Sequence, residues 1–241
     1  MNVQGAISEL APSGVLRAAI NLSNFLLVTG KDSSGAPVGV APDMARAIAD
    51  RLEVDLALTT FSSPGELADA AGKDVWDIGL IAAEPARAEA ITFSAAYVEI
   101  EVTYMVRNDS VLGTISDVDR PGVRIAVSAR SAYDLYLTRT LEHASLVRAK
   151  GLAAALDIFQ SERLDALAGL RPALIDDAGK LPEFRILDGR FTAVQQAVGT
   201  SVTKTIGASF MRDFVNDAKS SGLVERLIAK YGMVGRLLVA T

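Results

Sequence analysis

The chain has 241 residues, enough for one large core or two smaller lobes; half are apolar and only 6% aromatic, which suggests helices and strands packed through Ala, Leu, Val and Ile. With 24 Lys plus Arg against 29 Asp plus Glu the net charge is −5, which argues against nucleic-acid binding, a function that wants a basic face. The lack of cysteine excludes disulfides, thiolate metal sites and cysteine nucleophiles. The single histidine, His143, leaves little with which to build a histidine zinc site or a Ser-His-Asp triad.

Val15 to Asn21 (VLRAAIN) reads as the first strand, followed by a loop, Leu22 to Lys31, and a polar, glycine-terminated turn at Lys31-Asp32-Ser33-Ser34-Gly35. A helix is expected over 42–52, with Pro42 in its first turn and Met44, Ala45, Ile48 and Leu52 on one face. Val54 to Phe61 reads as a strand. Ser63-Pro64-Gly65-Glu66 has capping-box spacing and opens a short helix to about Ala71. Strand, helix, strand, helix, strand argues for a parallel sheet with crossovers.

Asp77 to Tyr97 (DIGLIAAEPARAEAITFSAAY) opens as a short apolar strand and places Arg87 just past its carboxyl end. Ligands of open α/β sheets lie outside the carboxyl ends of strands, and a guanidinium is a planar fork of donors suited to a carboxylate or phosphate. Taken alone, Arg87 reads first as a surface helix arginine; what surrounds it favours the other reading. Glu99 to Arg107 alternates, with Ile100, Val102, Tyr104 and Val106 on one face. After Pro121-Gly122 a second α/β run is expected: strand 123–127, helix 131–142, strand 145–148, helix 151–160 and strand 164–169. His143 falls at a helix end, as a solvated or capping residue. An extended return from Ala193 to Thr200 and two helices, about 205–219 and 222–231, finish the chain. No apolar run approaches the ~20 residues of a membrane span. Met1 to Ser13 shows no basic stretch leading into an apolar core, so no signal peptide is visible; either the sequence starts after a cleavage point or the protein is cytoplasmic.

Three motifs carry a resemblance. The strand followed by Glu84-Pro85-Ala86-Arg87 and then Phe93-Ser94 and Tyr97 resembles a strand, a (T/S)-x-x-R turn and F-S-x-x-Y. Upstream, Gly39-Val40-Ala41-Pro42-Asp43-Met44-Ala45-Arg46-Ala47-Ile48-Ala49 resembles a G-F-x-x-D-(L/M)-A-x-A-I-A helix, and downstream Ser221-Gly222-Leu223 with Lys230-Tyr231-Gly232 resembles a closing G-x-(L/V)…K-Y-G. In this order and spacing they are similar to the bacterial solute-binding proteins of the amino-acid-binding type, which serve ABC transporters, over nearly the whole chain.

The resemblance implies an α/β, two-lobed periplasmic-binding-protein-like fold (type II), each lobe a mostly parallel sheet flanked by helices. Lobe 1 would comprise 1–104 plus 200–241 and lobe 2 residues 108–195, with hinge crossings near 104–108 and 195–200. It implies reversible capture of a small ligand in an interlobe cleft, a periplasmic location, an ABC permease as partner, a monomer and no cofactor. Arg87 would clamp a carboxylate, with Glu84, in place of the usual Thr, positioned to neutralise it in part. Ser131, in Ser128-Ala129-Arg130-Ser131-Ala132-Tyr133-Asp134, would assist as a hydroxyl and backbone donor, and reads equally as an N-cap because Ser131-x-x-Asp134 has capping-box spacing. Leu170 falls where the family carries an acidic residue for the ligand's ammonium, so a standard α-amino acid is not the expected ligand. Arg171 and Arg130 would add positive charge, or else are solvated arginines at helix starts. Asn21, Asn24, Gln195 and Gln196 are candidate neutral hydrogen-bond partners; Phe25, Tyr97 and Tyr133 are candidate walls or core residues. The expected function is therefore binding of a small organic anion. The alternative is a dehydratase-like enzyme acting on a cyclic carboxylate on the same scaffold, for which Glu84 is the one candidate acid.

Overall fold

The computed structural model describes residues 2–241; Met1, with which the N-terminal reading begins, lies outside them. The chain separates into two compact units, one holding residues up to Glu99 together with Gln195–Thr241, the other Ile100–Val194.

In chain order the first unit opens with helix α1 (Val3–Leu10), then β1 (Val15–Asn21), β2 (Gly30–Lys31), β3 (Pro37–Val38), α2 (Val40–Leu52), β4 (Asp55–Phe61), α3 (Pro64–Asp69), β5 (Ile78–Ala82), β6 (Ile91–Phe93) and the start of β7 (Val98–Arg107). The second unit continues β7 and adds β8 (Arg124–Ser128), α4 (Ala132–Thr140), β9 (Ser145–Ala149), α5 (Leu152–Ser161), β10 (Ala166–Leu170), α6 (Arg171–Ala178), β11 (Phe184–Ile186) and the start of β12 (Thr192–Ser201). The chain returns through β12 to α7 (Thr205–Ser220), α8 (Leu223–Lys230) and β13 (Leu238–Val239). The α/β class expected from the sequence is what the chain adopts.

In the first unit, β1 lies between β4 and β5, parallel to both, and β12 runs antiparallel along β5 with Gln196 opposite Ala82. β5 is buried at every position, as suits a strand covered on both faces. Leu67, Trp76, Ile81 and Ile91 form a core cluster beside it, and the Trp76 indole N–H donates to the Leu67 carbonyl at 3.2 Å. In the second unit, β9, β8 and β10 are parallel neighbours, while β7 is antiparallel to β10. Met105, Phe159, Leu167, Leu174 and Phe184 fill its core.

Several elements depart from the expected ones. Helix α2 begins at Val40 rather than 42, because Gly39 serves as its N-cap at φ 150°. A Cβ on Gly39 would stand 2.2 Å from the Leu27 carbonyl oxygen, so only glycine lets the loop after β1 lie this close. Helix α4 stops at Thr140 instead of 142, leaving His143 beyond it; the Asp119 carboxylate accepts the backbone N–H groups of Glu142, His143 and Ala144 at 2.8–2.9 Å. At α3, Ser63 caps as expected by accepting from Glu66 N–H, but the Glu66 carboxylate returns to Ser62, not to Ser63. Helices α1 and α6 and strands β6, β11 and β13 were not expected from the sequence.

The three motif segments have structural partners. The Asp43 carboxylate in α2 accepts from Lys230 Nζ at 2.6 Å and from the Tyr231 hydroxyl at 2.7 Å, so the α2 motif and the K-Y-G segment meet on one oxygen. Gly222 and Gly232 on either side of α8 both take positive φ (72° and 68°), a conformation glycine adopts without steric cost. At the amino end of β5, Asp77 is buried and binds Arg17 and Lys204.

Candidate functional site

The candidate residues gather into two groups, one at the carboxyl end of each unit's parallel strands. In the first unit, β1 and β5 are adjacent and parallel, with Ile20 opposite Leu80, so the Leu22–Val28 loop and the Glu84–Arg87 turn leave the sheet side by side. The turn is a single 3₁₀ segment, Pro85–Arg87, with proline in its first turn and Glu84 as N-cap. The Arg87 N–H donates to the Glu84 carbonyl at 2.9 Å. The Arg87 side chain is 6% exposed, and its Nη1 donates to the Ala82 carbonyl at 2.8 Å. That bond folds the guanidinium back over the last residue of β5. Gln195 and Gln196 flank the same point through the backbone: the Gln195 carbonyl accepts from Ala83, and Gln196 pairs with Ala82.

The asparagines differ in role. Asn21 uses its side-chain oxygen within the loop, accepting from the Ser23 N–H at 3.1 Å and hydroxyl at 2.8 Å. Asn24 is 9% exposed, and its Oδ1 is enclosed without a hydrogen-bond partner, while the neighbouring Phe25 ring is exposed. Tyr97 is wholly enclosed, its hydroxyl has no partner, and burial raises its pKa. It is a core residue of the first unit and not a wall open to ligand.

In the second unit, β8 and β10 are parallel neighbours with Leu167 opposite Ala126, so the Ser128–Ser131 loop and the Leu170-Arg171 junction emerge together. Ser131 is the N-cap of α4: its Oγ accepts from the Asp134 N–H at 3.1 Å. Asp134 reaches back to accept from the Arg130 N–H at 2.7 Å, and its other oxygen takes Arg148 Nε at 2.8 Å. Arg130 therefore sits in a left-handed conformation, φ 61°, with an exposed side chain. Tyr133 is enclosed beside the hydroxyls of Ser131 and Ser128, and burial raises its pKa.

Leu170, 6% exposed, closes β10. Arg171 is the first residue of α6 and is not a solvated helix-start arginine. Its Nη2 donates to the carbonyls of Leu187, at 3.2 Å, and Gly189, and its Nε lies 3.2 Å from the Glu101 carboxylate. Arg190 approaches the other Glu101 oxygen at 3.6 Å. Glu101 is a site-side residue that sequence reasoning passed over. The alternation of Ile100, Val102, Tyr104 and Val106 put it on the opposite face of β7, but only the antiparallel register, Leu170 opposite Val102, sets it across from Arg171. Among the described residues no group of His, Asp or Glu is placed to hold a metal ion, and no helix is long and apolar enough to cross a membrane.

Residues 22–234 match the family model of bacterial extracellular solute-binding proteins, family 3. The chain belongs to this family. Its fold is similar to that of a mutant of ArgBP from T. maritima (TM-score 0.74, 23% identity, covering 94% of this chain and 98% of that one). It is likewise similar to AncCDT-1, an ancestral amino acid-binding protein described as a precursor of cyclohexadienyl dehydratase (0.74, 21%, covering 93% and 98%). A third similar structure is AbpA, an amino acid ABC transporter substrate-binding protein from Streptococcus pneumoniae bound to L-arginine (0.74, 20%, covering 93% and 97%). A sequence search of curated proteins finds no match. The α2 and K-Y-G segments, both within the matched residues, meet on Asp43. It also makes the chain a solute-binding protein of the ABC-transporter type, with a small-molecule ligand.

Proposed function

We propose that the protein reversibly binds a small organic anion, a carboxylate-bearing solute other than a standard α-amino acid, and presents it in the periplasm, as a monomer, to an ABC-transporter permease. Arg87 carries the reading. A guanidinium that is 6% exposed and folded over the carboxyl end of β5 is a preformed fork of donors where α/β sheets take their ligands. Ser131, the N-cap of α4, is the candidate hydroxyl of the second unit. Leu170 supports the exclusion of amino acids. It is apolar where an ammonium would need a counter-charge, and the carboxylate adjacent in register, Glu101, already faces two guanidiniums. Burying an unpaired ammonium there costs several kcal/mol, by the order of magnitude for unpaired buried ions.

A thermal-shift screen of carboxylates, α-amino acids and phosphorylated metabolites tests this. A ligand at 100 times its dissociation constant adds ~2.7 kcal/mol of stability. Carboxylates without a free α-ammonium are expected to raise the melting temperature; stabilisation by L-arginine, the ligand of the S. pneumoniae neighbour, would contradict the proposal. Incubation with prephenate, watched for an aromatic product, addresses the dehydratase alternative, and no turnover is expected.

A further inference from the structure

At the amino end of β10, the opposite end of that strand from Leu170 and Arg171, the second unit has a cavity of about 310 Å³ between the turn after β7 (residues 107–111) and the turn before β10 (residues 163–165). The first wall is clamped. Ser110 N–H donates to the Arg107 carbonyl at 3.1 Å, Leu112 N–H to Ser110 Oγ at 3.2 Å, and Arg185 Nη2 to the Ser110 and Leu112 carbonyls at 3.2 and 2.8 Å. Leu112 is buried, so Val111, between two fixed neighbours, is held 88% exposed at the cavity's rim. The second wall is fixed too: Arg163 N–H donates to the Gln160 carbonyl at 3.3 Å, the Arg163 carbonyl accepts from Arg124 Nη2 at 3.2 Å, and Leu164 beside it is buried.

The charged groups of this cavity differ in what they meet. Asp109 has Arg107 Nε at 3.4 Å, and Asp165 accepts from the Arg124 N–H at 2.7 Å with Arg124 Nε at 3.9 Å. The Arg163 guanidinium, among the described residues, makes neither a hydrogen bond nor an ion pair. Its backbone is left-handed, φ 49°, a conformation that glycine takes freely and an arginine does not. The fold therefore holds an arginine where glycine would sit with less strain, and makes no use of its side chain.

We propose that this cavity is a docking site for an extended segment of a partner protein that presents a carboxylate beside an apolar side chain, the carboxylate on Arg163 and the apolar group against Val111. Charge complementarity names the first contact, since an unengaged guanidinium is a planar fork of donors for a carboxylate. The second contact separates a protein segment from a small ion. Val111 stands at the rim in water, so an ion seated on Arg163 would leave it there, whereas an extended chain covers both. A lone exposed valine is ordinary; one held in place beside an unengaged arginine is a preorganised pair, which lowers the ordering cost of binding. The inference stands apart from the Arg87 reading and from the choice of solute.

The test titrates the ¹⁵N-labelled chain with three probes and follows backbone amide shifts by NMR: the capped peptide Ac-Ala-Glu-Leu-Ala-NH2, its glutamine counterpart Ac-Ala-Gln-Leu-Ala-NH2, and inorganic phosphate. The glutamate peptide is expected to move the amides of Val111, Arg163 and Leu164, and to bind about threefold more tightly than the glutamine peptide, as an exposed ion pair allows. R163G should abolish that preference without lowering the melting temperature, because glycine accepts the left-handed backbone. V111S should weaken both peptides alike. Amides unmoved by the glutamate peptide, equal binding of the two peptides by the parent, or a preference that survives in R163G overturns the inference. Phosphate moving the same amides as far as the glutamate peptide does would mark a small-anion site and overturn the protein partner.

Discussion

Asp77 enters β5 with Arg17 Nε on one oxygen at 2.9 Å and Lys204 Nζ on the other at 2.8 Å, while its carbonyl accepts from the Thr200 hydroxyl. Burial alone would push its pKa up, but the hydrogen bonds from Arg17 and Lys204 outweigh it and hold the carboxyl below its usual 3.8. The unfolded chain therefore binds this proton more readily than the folded one. The stabilisation is complete above pH 3.8 and is lost as pH falls through the lower folded value. Asp77→Asn is expected to cost about 3 kcal/mol at pH 7, the low end for a broken buried pair because both cations keep partial solvent access. Urea unfolding at pH 7 and at pH 3 checks it; the gap between parent and variant should narrow at the lower pH. Single residues were unevenly legible. Arg87 could be read because it follows its strand within a few positions. Glu101 and Arg171 are 70 positions apart, and nothing local announces that an antiparallel register makes them partners.

At the scale of elements, periodicity and caps found the helices and strands with strong local signals: α2, α3, α7 and the parallel strands. Helix α1 lacked such a signal. It buries only Ala6 and Leu10, its Asn2 cap precedes a mixed segment, and it is held from outside. Leu10 fits over Gly207 of α7, where a Cβ would come within 2.6 Å, and Glu9 accepts from the Gly207 N–H at 2.8 Å. Helix α6 had one cue, Pro172 in its first turn, but its helical face shows almost no apolar periodicity to extend that cue. The α2 start can be tested directly. Gly39→Ala drives a methyl against the Leu27 carbonyl at a φ that L-residues avoid, and should cost on the order of 3 kcal/mol while displacing the loop that carries Asn24. A milder change, Tyr231→Phe, deletes one donor to Asp43 and should cost about 1 kcal/mol by chemical denaturation.

Across the whole molecule, the chain passes from one unit to the other within β7, between Glu99 and Ile100, and back within β12, between Val194 and Gln195. Composition barely shifts at the expected crossings, near 104–108 and 195–200, so these rested mainly on the family resemblance. The family was legible because its motifs are structural: a glycine forced by a carbonyl, and an aspartate shared by a lysine and a tyrosine. The candidate site was less so, because each unit draws its candidate residues from strands far apart in the sequence. Titration of Arg87→Ala with the carboxylates that stabilise the parent, on protein shown by thermal unfolding to be folded, bears on the account most directly. It should lose ~3 kcal/mol or more, roughly a hundredfold in affinity. Equal affinity in variant and parent would mean that this guanidinium serves the Ala82 carbonyl and not the solute.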